Sequence, residues 1–95
     1  MAYKLEFVES AFKEWGNLDA VIREQFKKKL IERLESPRIP SCRLNGMADC
    51  YKIKLKSSGY RLVYKVLDNE IVVLVVAVGK RERNAVYKTA MKRTL

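Results

Sequence analysis

Between Cys50 and Val66 the chain reads CYKIKLKSSGYRLVYKV, and apolar and polar positions alternate through it twice. Tyr51, Ile53 and Leu55 fall on one face of an extended strand, with Lys52, Lys54 and Lys56 on the other. After Ser57-Ser58-Gly59, a turn signal, Tyr60, Leu62, Tyr64 and Val66 are apolar and Arg61 and Lys65 interleave, so the stretch predicts a hairpin. Opposed residues share a face, so an even-numbered lysine must sit across from an odd-numbered partner. A two-residue connection sets Lys54 opposite Arg61; a four-residue one sets Arg61 opposite Lys56 and diagonal to Lys54. Lys54 and Arg61 are neighbours in both.

Other patterns supply the rest of the fold. Tyr3, Leu5 and Phe7 alternate with Lys4 and Glu6, a short first strand. Ser10 is positioned to cap a short helix carrying Phe12 and Trp15 and ended by Gly16. Asp19 can cap a longer helix in which Ile22, Phe26, Leu30 and Leu34 recur every fourth residue as a core stripe, with Lys27, Lys28 and Lys29 on its outer side. Ser36-Pro37 stops that helix, because the residue before proline is pushed out of the α region. Residues 38–49 have no periodicity and read as a loop, in which Arg43 brings a cation near the hairpin. After a tight turn at Asp68-Asn69, the eight apolar residues Ile71 to Val78 read as a strand buried on both faces, central once the N-terminal strand joins its free edge. Lys80, Arg81 and Arg83 follow its end. From Asn84 the chain reads as a helix with Val86, Ala90, Tyr87 and Met91 available for packing. Its narrow apolar stripe, beside Lys88, Lys92 and Arg93, predicts that it can undock.

Composition changes this picture chiefly through charge. The 95 residues carry 20 basic and 11 acidic side chains, net +9. Residues 1–49 hold nine basic and eight acidic groups, and residues 50–95 hold eleven and three. An excess confined to one half suggests a polyanionic partner, nucleic acid or an acidic protein. The length suits one domain, 1–95. Cys42 and Cys50, with no histidine anywhere, form neither a disulfide framework nor a four-ligand zinc site, and read as reduced thiols. The start MAYKLEF lacks the apolar stretch of a signal peptide, and eight apolar residues fall far short of the roughly twenty that span a membrane. A soluble cytoplasmic protein is expected, with no membrane partner, no metal and no cofactor.

The lysine row of the hairpin has two readings. Lysines protect the outer strand of a sheet from pairing with other chains, or the repulsion of like charges across a sheet is offset by a bound anion. Residues 50–67 contain no carboxylate. Lysine, arginine and tyrosine could together cleave RNA through its own 2′-hydroxyl, which requires a base, donors for the phosphorane and a proton for the leaving 5′-oxygen. Dense positive charge lowers the pKa of a lysine or a tyrosine toward usefulness as a base. Composition alone does not separate this chemistry from phosphate binding.

SPRI from Ser36, the block GMADCYKIKLKSSGYRLVYKV and the segment VGKRERNAVY resemble the RelE family of bacterial toxin–antitoxin toxins, and the likeness runs along the whole chain. It implies an α+β, microbial-ribonuclease-like fold: a mainly antiparallel four-stranded sheet, two N-terminal helices packed on it, and a C-terminal helix. It also implies an endoribonuclease that cuts messenger RNA in the A site of the 70S ribosome, after the second nucleotide of the codon. A RelB-like antitoxin would inhibit it, and the pair would bind operator DNA to repress its own operon. By the resemblance Lys52, Lys54, Arg61, Arg81 and Tyr87 form the catalytic set. Lys54 or Tyr87 takes the 2′-hydroxyl proton, Tyr87 also orients or stacks on the substrate, Arg61 and Lys52 stabilise the phosphorane, and Arg81 assists the leaving oxygen. Lys27, Lys28, Lys29, Arg43, Lys56, Lys80 and Arg83 are candidate contacts to RNA and to 16S ribosomal RNA. The family's basic residue before Gly46 is here Asn45, which removes one such contact. The alternatives are a non-catalytic RNA- or ribosome-binding module, and a gyrase-inhibiting toxin on the same scaffold; gyrase-directed relatives lack the five-residue set.

Overall fold

The computed structural model describes residues 2–80, 82 and 85–94. In chain order the elements are β1 (Lys4–Phe7), α1 (Glu9–Gly16), α2 (Ala20–Glu35), a 3₁₀ turn (Pro40–Cys42), β2 (Cys50–Leu55), β3 (Tyr60–Leu67), β4 (Val72–Lys80) and α3 (Ala85–Thr94). The strands form one sheet in the order β1-β4-β3-β2. β2, β3 and β4 make an antiparallel meander, and β1 joins β4 in parallel, so the sheet is mixed. The expected closure of the sheet by the N-terminal strand is what brings β4 inside.

β4 is buried on both faces because each face has its own cover. Val73, Val75 and Val78 pack with Phe26 and Leu30 of α2, Ala11 of α1, and Ile53, Leu55, Leu62 and Tyr64. Val76 and Ala77 pack on the other side with Cys50, Val63, Met47, and Val86 and Ala90 of α3. Strand residues normally alternate faces, yet Val76 and Ala77 are consecutive. A bulge between the pairs Val63–Ala77 and Tyr64–Val75 accounts for this. Beyond it Gly79 points toward α3, where an added Cβ would come 3.2 Å from Val86.

Several local expectations need correction. α1 starts at Glu9 with Val8 in the cap position and no side-chain cap, so Ser10 is the second helical residue, not the cap. The carbonyl of Val8 accepts from Phe12 while its N–H donates to Val75, so leaving β1 and entering the helix occur at one residue. Ile71 belongs to the turn, not to β4. It sits at φ 55, in the left-handed region that β-branched residues rarely adopt, and its carbonyl accepts from Lys4. The 38–49 segment is less irregular than expected: besides the 3₁₀ turn, Arg43 bridges to Tyr51. Met91 is exposed rather than packed. Arg93 is not solvated charge: it bonds Glu14 of α1 and the Val76 carbonyl.

Candidate functional site

The hairpin places its cations by backbone geometry. Lys54 lies directly opposite Arg61 and Lys52 opposite Val63, the register expected of a two-residue connection, although four residues join the two strands. Lys56 to Gly59 make the turn, with Gly59 at φ 75 and its N–H donating to the Leu55 carbonyl. One further bond fixes the phase of the ladder. Val66 N–H donates to the Asp49 carbonyl, so odd-numbered residues here bond to β3. Cys50, Lys52 and Lys54 are then non-hydrogen-bonded positions, where opposed Cα atoms stand about 4.5 Å apart and side chains are closest. Lys54 and Arg61 therefore meet at the closer spacing.

All three cations share the face covered by α3, since Cys50 and Val63 on the same parity pack against Val86 and Ala90. Arg61 is 7% exposed, and its Nη1 donates a long bond of 3.4 Å to the carbonyl of its neighbour Tyr60. No carboxylate pairs with it among the described residues. Tyr87 stands on α3, half-buried against the same cluster, and its hydroxyl is buried with no partner among the described residues. Buried polar atoms are nearly always bonded, which sets this phenol apart among the described residues; its ring lines a hollow with Leu44, Asn45, Met47, Lys88 and Met91. Arg81, the remaining member of the expected set, lies outside the described residues, as does Arg83. No three side chains of a kind to ligate a metal converge among the described residues; the polar groups assigned to this face are ammonium, guanidinium and phenol, beside the Cys50 thiol.

The outlying cations separate into groups. Lys28 and Lys29 of α2 join Lys54 and Lys56 in lining a trough of about 710 Å³, with Gln25, Glu32 and Ser57. It runs beside the outer strand β2, so the basic surface wraps around the sheet's edge. Lys27 is exposed but does not line it. Arg43 lines a separate hollow with Asn45 and Gly46. Lys80 pairs with Tyr60, with its ammonium 5.7 Å from that ring, on the sheet face opposite Arg61.

Sequence reasoning missed Arg33. Its Nη1 donates to the Tyr64 hydroxyl at 2.9 Å and to the Lys52 carbonyl at 3.2 Å, and its Nη2 to Cys42 Sγ at 3.4 Å. Spacing could have found it: three residues after Leu30 and seven after Phe26, it faces inward on α2. Tyr64 is fully buried and donates to the Pro37 carbonyl at 2.6 Å. Burial raises the pKa of its phenol, against the Arg33 bond, which lowers it, so the hydroxyl keeps the proton it donates.

A four-stranded sheet with a cationic face beneath a terminal helix is a scaffold found among toxins of type II toxin–antitoxin systems. The family described as the ParE toxin of the type II toxin–antitoxin system parDE matches residues 5–85, and the chain belongs to this RelE/ParE family of toxins. Among its members, it is 63% identical over 95 residues, all of both chains, to the mRNA interferase toxin RelE of Escherichia coli strain K12. A mutant of E. coli RelE solved in the free state superposes with a TM-score of 0.92 at 61% identity, over 100% of both chains. The toxin in the intact E. coli RelBE toxin–antitoxin complex gives 0.84 at 63% identity, over 86% of this chain and all of that one.

Proposed function

We propose that this protein is a ribosome-dependent mRNA interferase: the toxin of a toxin–antitoxin pair, which cuts messenger RNA in the ribosomal A site and stops translation. The observation that carries the reading is Arg61, a nearly buried guanidinium with no carboxylate partner among the described residues, directly across from Lys54. Desolvating a charge without compensation is costly, and a phosphate of the substrate would compensate it. The curated relative's name, mRNA interferase toxin, supports the same conclusion along the full length.

In the reaction the 2′-oxygen attacks the adjacent phosphorus, the P–O5′ bond breaks, and a 2′,3′-cyclic phosphate and a 5′-hydroxyl result. Lys54 or Tyr87 accepts the 2′-hydroxyl proton, and Tyr87 also orients the substrate. Arg61 and Lys52 hold the dianionic phosphorane. Arg81 stabilises charge on the leaving oxygen, which takes its proton from water; a guanidinium, with a pKa above about 12, is a reluctant proton donor. The set contains no imidazole, so positioning must supply much of the rate, and the ribosome supplies positioning by holding the codon. Lys28, Lys29 and Lys56, along the trough, and Arg43 face ribosomal RNA. A RelB-like antitoxin neutralises the toxin, as the E. coli RelBE complex suggests, and the pair acts in the cytoplasm on its own operator.

The test adds the purified protein to ribosomes programmed with a known A-site codon, beside free RNA, and maps the new ends. A single cut within the codon, on the ribosome only, with a cyclic phosphate, is expected. Tyr87→Phe should lose about 10² to 10⁴ in rate; cleavage at the wild-type rate would move the base role to Lys54. Tight ribosome binding without a cut would leave a binding module, and inhibition of DNA supercoiling instead would favour the gyrase-directed reading.

A further inference from the structure

β2 is the outer strand of the sheet, so one of its edges has no strand neighbour. The phase of the ladder aims the backbone groups of Cys50, Lys52 and Lys54 at that edge. An outer strand carrying working side chains is a mechanical weakness. It can roll about its axis, and a side chain as long as lysine amplifies the roll at its ammonium. The Cys50 carbonyl is secured by the N–H of Leu44 at 2.9 Å. The Lys52 carbonyl is secured by Arg33, from the last turns of α2.

Arg33 is itself held from three sides. Its fork spans the Lys52 carbonyl, the Tyr64 hydroxyl and the Cys42 sulfur, and the guanidinium carbon stands 5.7 Å from the centre of the Tyr64 ring. Tyr64 is in turn fixed by its bond to Pro37 and by stacking on Tyr51 of β2 at 5.7 Å and 19°. A guanidinium presents five donors in a rigid plane, and three acceptors here lie around it; an ammonium could not span them with the same rigidity. The arrangement ties α2, the proline segment, the 3₁₀ turn and β3 to one carbonyl of β2. The residue that owns this carbonyl is the one whose side chain leaves on the opposite, cationic side of the sheet.

We propose that Arg33 is a positioning residue for RNA cleavage, which acts through the Lys52 carbonyl to hold the pleat of β2 and so aim the Lys52 ammonium at the scissile phosphate. The proposal rests on the reading of Lys52 as part of the site. Arg33 touches no substrate. Its contribution belongs to the chemical step, because misplacement of reacting groups by about 1 Å can cost about 100-fold in rate while the cations that bind RNA remain in place.

Single-turnover cleavage on programmed ribosomes, over a range of ribosome concentrations, tests this with the full chain. Arg33→Met should lower kcat by about 10- to 100-fold and leave the half-saturating concentration within about twofold. Arg33→Lys, which keeps the charge and the stem but loses the fork, should fall between; it also keeps the test open if the methionine variant fails to fold. Tyr64→Phe removes the Pro37 arm and one of the three acceptors around Arg33 but leaves the bond to the Lys52 carbonyl, and should keep kcat within about threefold. In a Lys52→Ala background, Arg33→Met should cost less than about twofold more. Wild-type kcat in both Arg33 variants overturns the proposal, as does an equal loss in Tyr64→Phe, or an undiminished Arg33 effect in the Lys52→Ala background. Lys52→Ala cleaving at the wild-type rate would instead overturn the reading of the site, and the proposal with it.

Discussion

Replacing Arg93 with methionine should loosen α3 by an amount the structure allows to be worked out. β1 ends at Phe7, opposite Val75, while β4 continues to Lys80. Past Val75 the edge of β4 needs other partners, and side chains provide them. Val78 N–H donates to Glu14 Oε1 at 3.1 Å, and Arg93 Nη1 donates to the Val76 carbonyl at 2.8 Å. Glu14 and Arg93 then bond each other twice, at 2.9 and 3.1 Å. The pair thus completes a sheet edge and ties the first helix to the last. At 24% and 33% side-chain exposure it lies between two regimes. Exposed ion pairs contribute about 0.2–1 kcal/mol, and breaking a buried pair costs about 3–5 kcal/mol. Loss of all three Arg93 bonds should therefore cost about 2 kcal/mol, a roughly 30-fold change in an opening equilibrium. Apart from this clasp, α3 is held by Val86, Ala90 and half of Tyr87. Hydrogen exchange of the 85–94 amides should accelerate about 30-fold in Arg93→Met, and the denaturant midpoint should fall accordingly. Glu14→Gln, which keeps an acceptor for Val78 but loses the charge, should give about half the effect in free energy. If the 85–94 amides speed up less than about threefold and the midpoint stays put, the pair behaves as solvated surface charge and the reasoning is wrong.

Phe26 is fully buried, with its ring 6.3 Å from that of Trp15; Phe26→Ala should cost about 4 kcal/mol, and a thermal melt lowered by under 5 °C would mean that the core closes over the void. Asp68 accepts from Tyr3 at 2.7 Å and pairs with Arg38, and both bonds hold its carboxyl below the ordinary range. A depressed folded pKa means a contribution present above the unfolded value near ~3.9 and lost as pH falls through the lower folded one. In Tyr3→Phe a carbon-detected titration of Asp68 should move its midpoint upward, and an unchanged midpoint would rule out the tyrosine bond as the main cause. Cys50 is buried, and desolvation raises its thiol pKa; Cys42 is partly exposed. An alkylating reagent at neutral pH should label Cys42 alone in the native protein, with Cys50 reacting only on unfolding.

The sequence revealed whatever its pattern repeats locally. Parity alone put Lys54 beside Arg61, and the unbroken apolar run of β4 showed that both its faces had to be covered. That same run hid the bulge at Val76 and Ala77, since a stretch without polar residues carries no mark of which side each points to. The consequence reaches the site: the bulge sets which residues past Ala77 face α3, and it sends Lys80 to the other side. The roles of Glu14, Arg33 and Arg93 were not legible, because their partners, 9 to 79 positions away, leave no periodic trace. The lysine row was ambiguous for a different reason, because its two readings do not exclude each other. β2 is the sheet's outer strand, so its lysines do guard an edge. Arg61 bears on the choice between them. It lies on β3, between β2 and β4, where there is no edge to protect, and it is nearly buried without a carboxylate among the described residues. Edge protection accounts for the cations of one strand, but it does not account for a guanidinium placed across from them on the next.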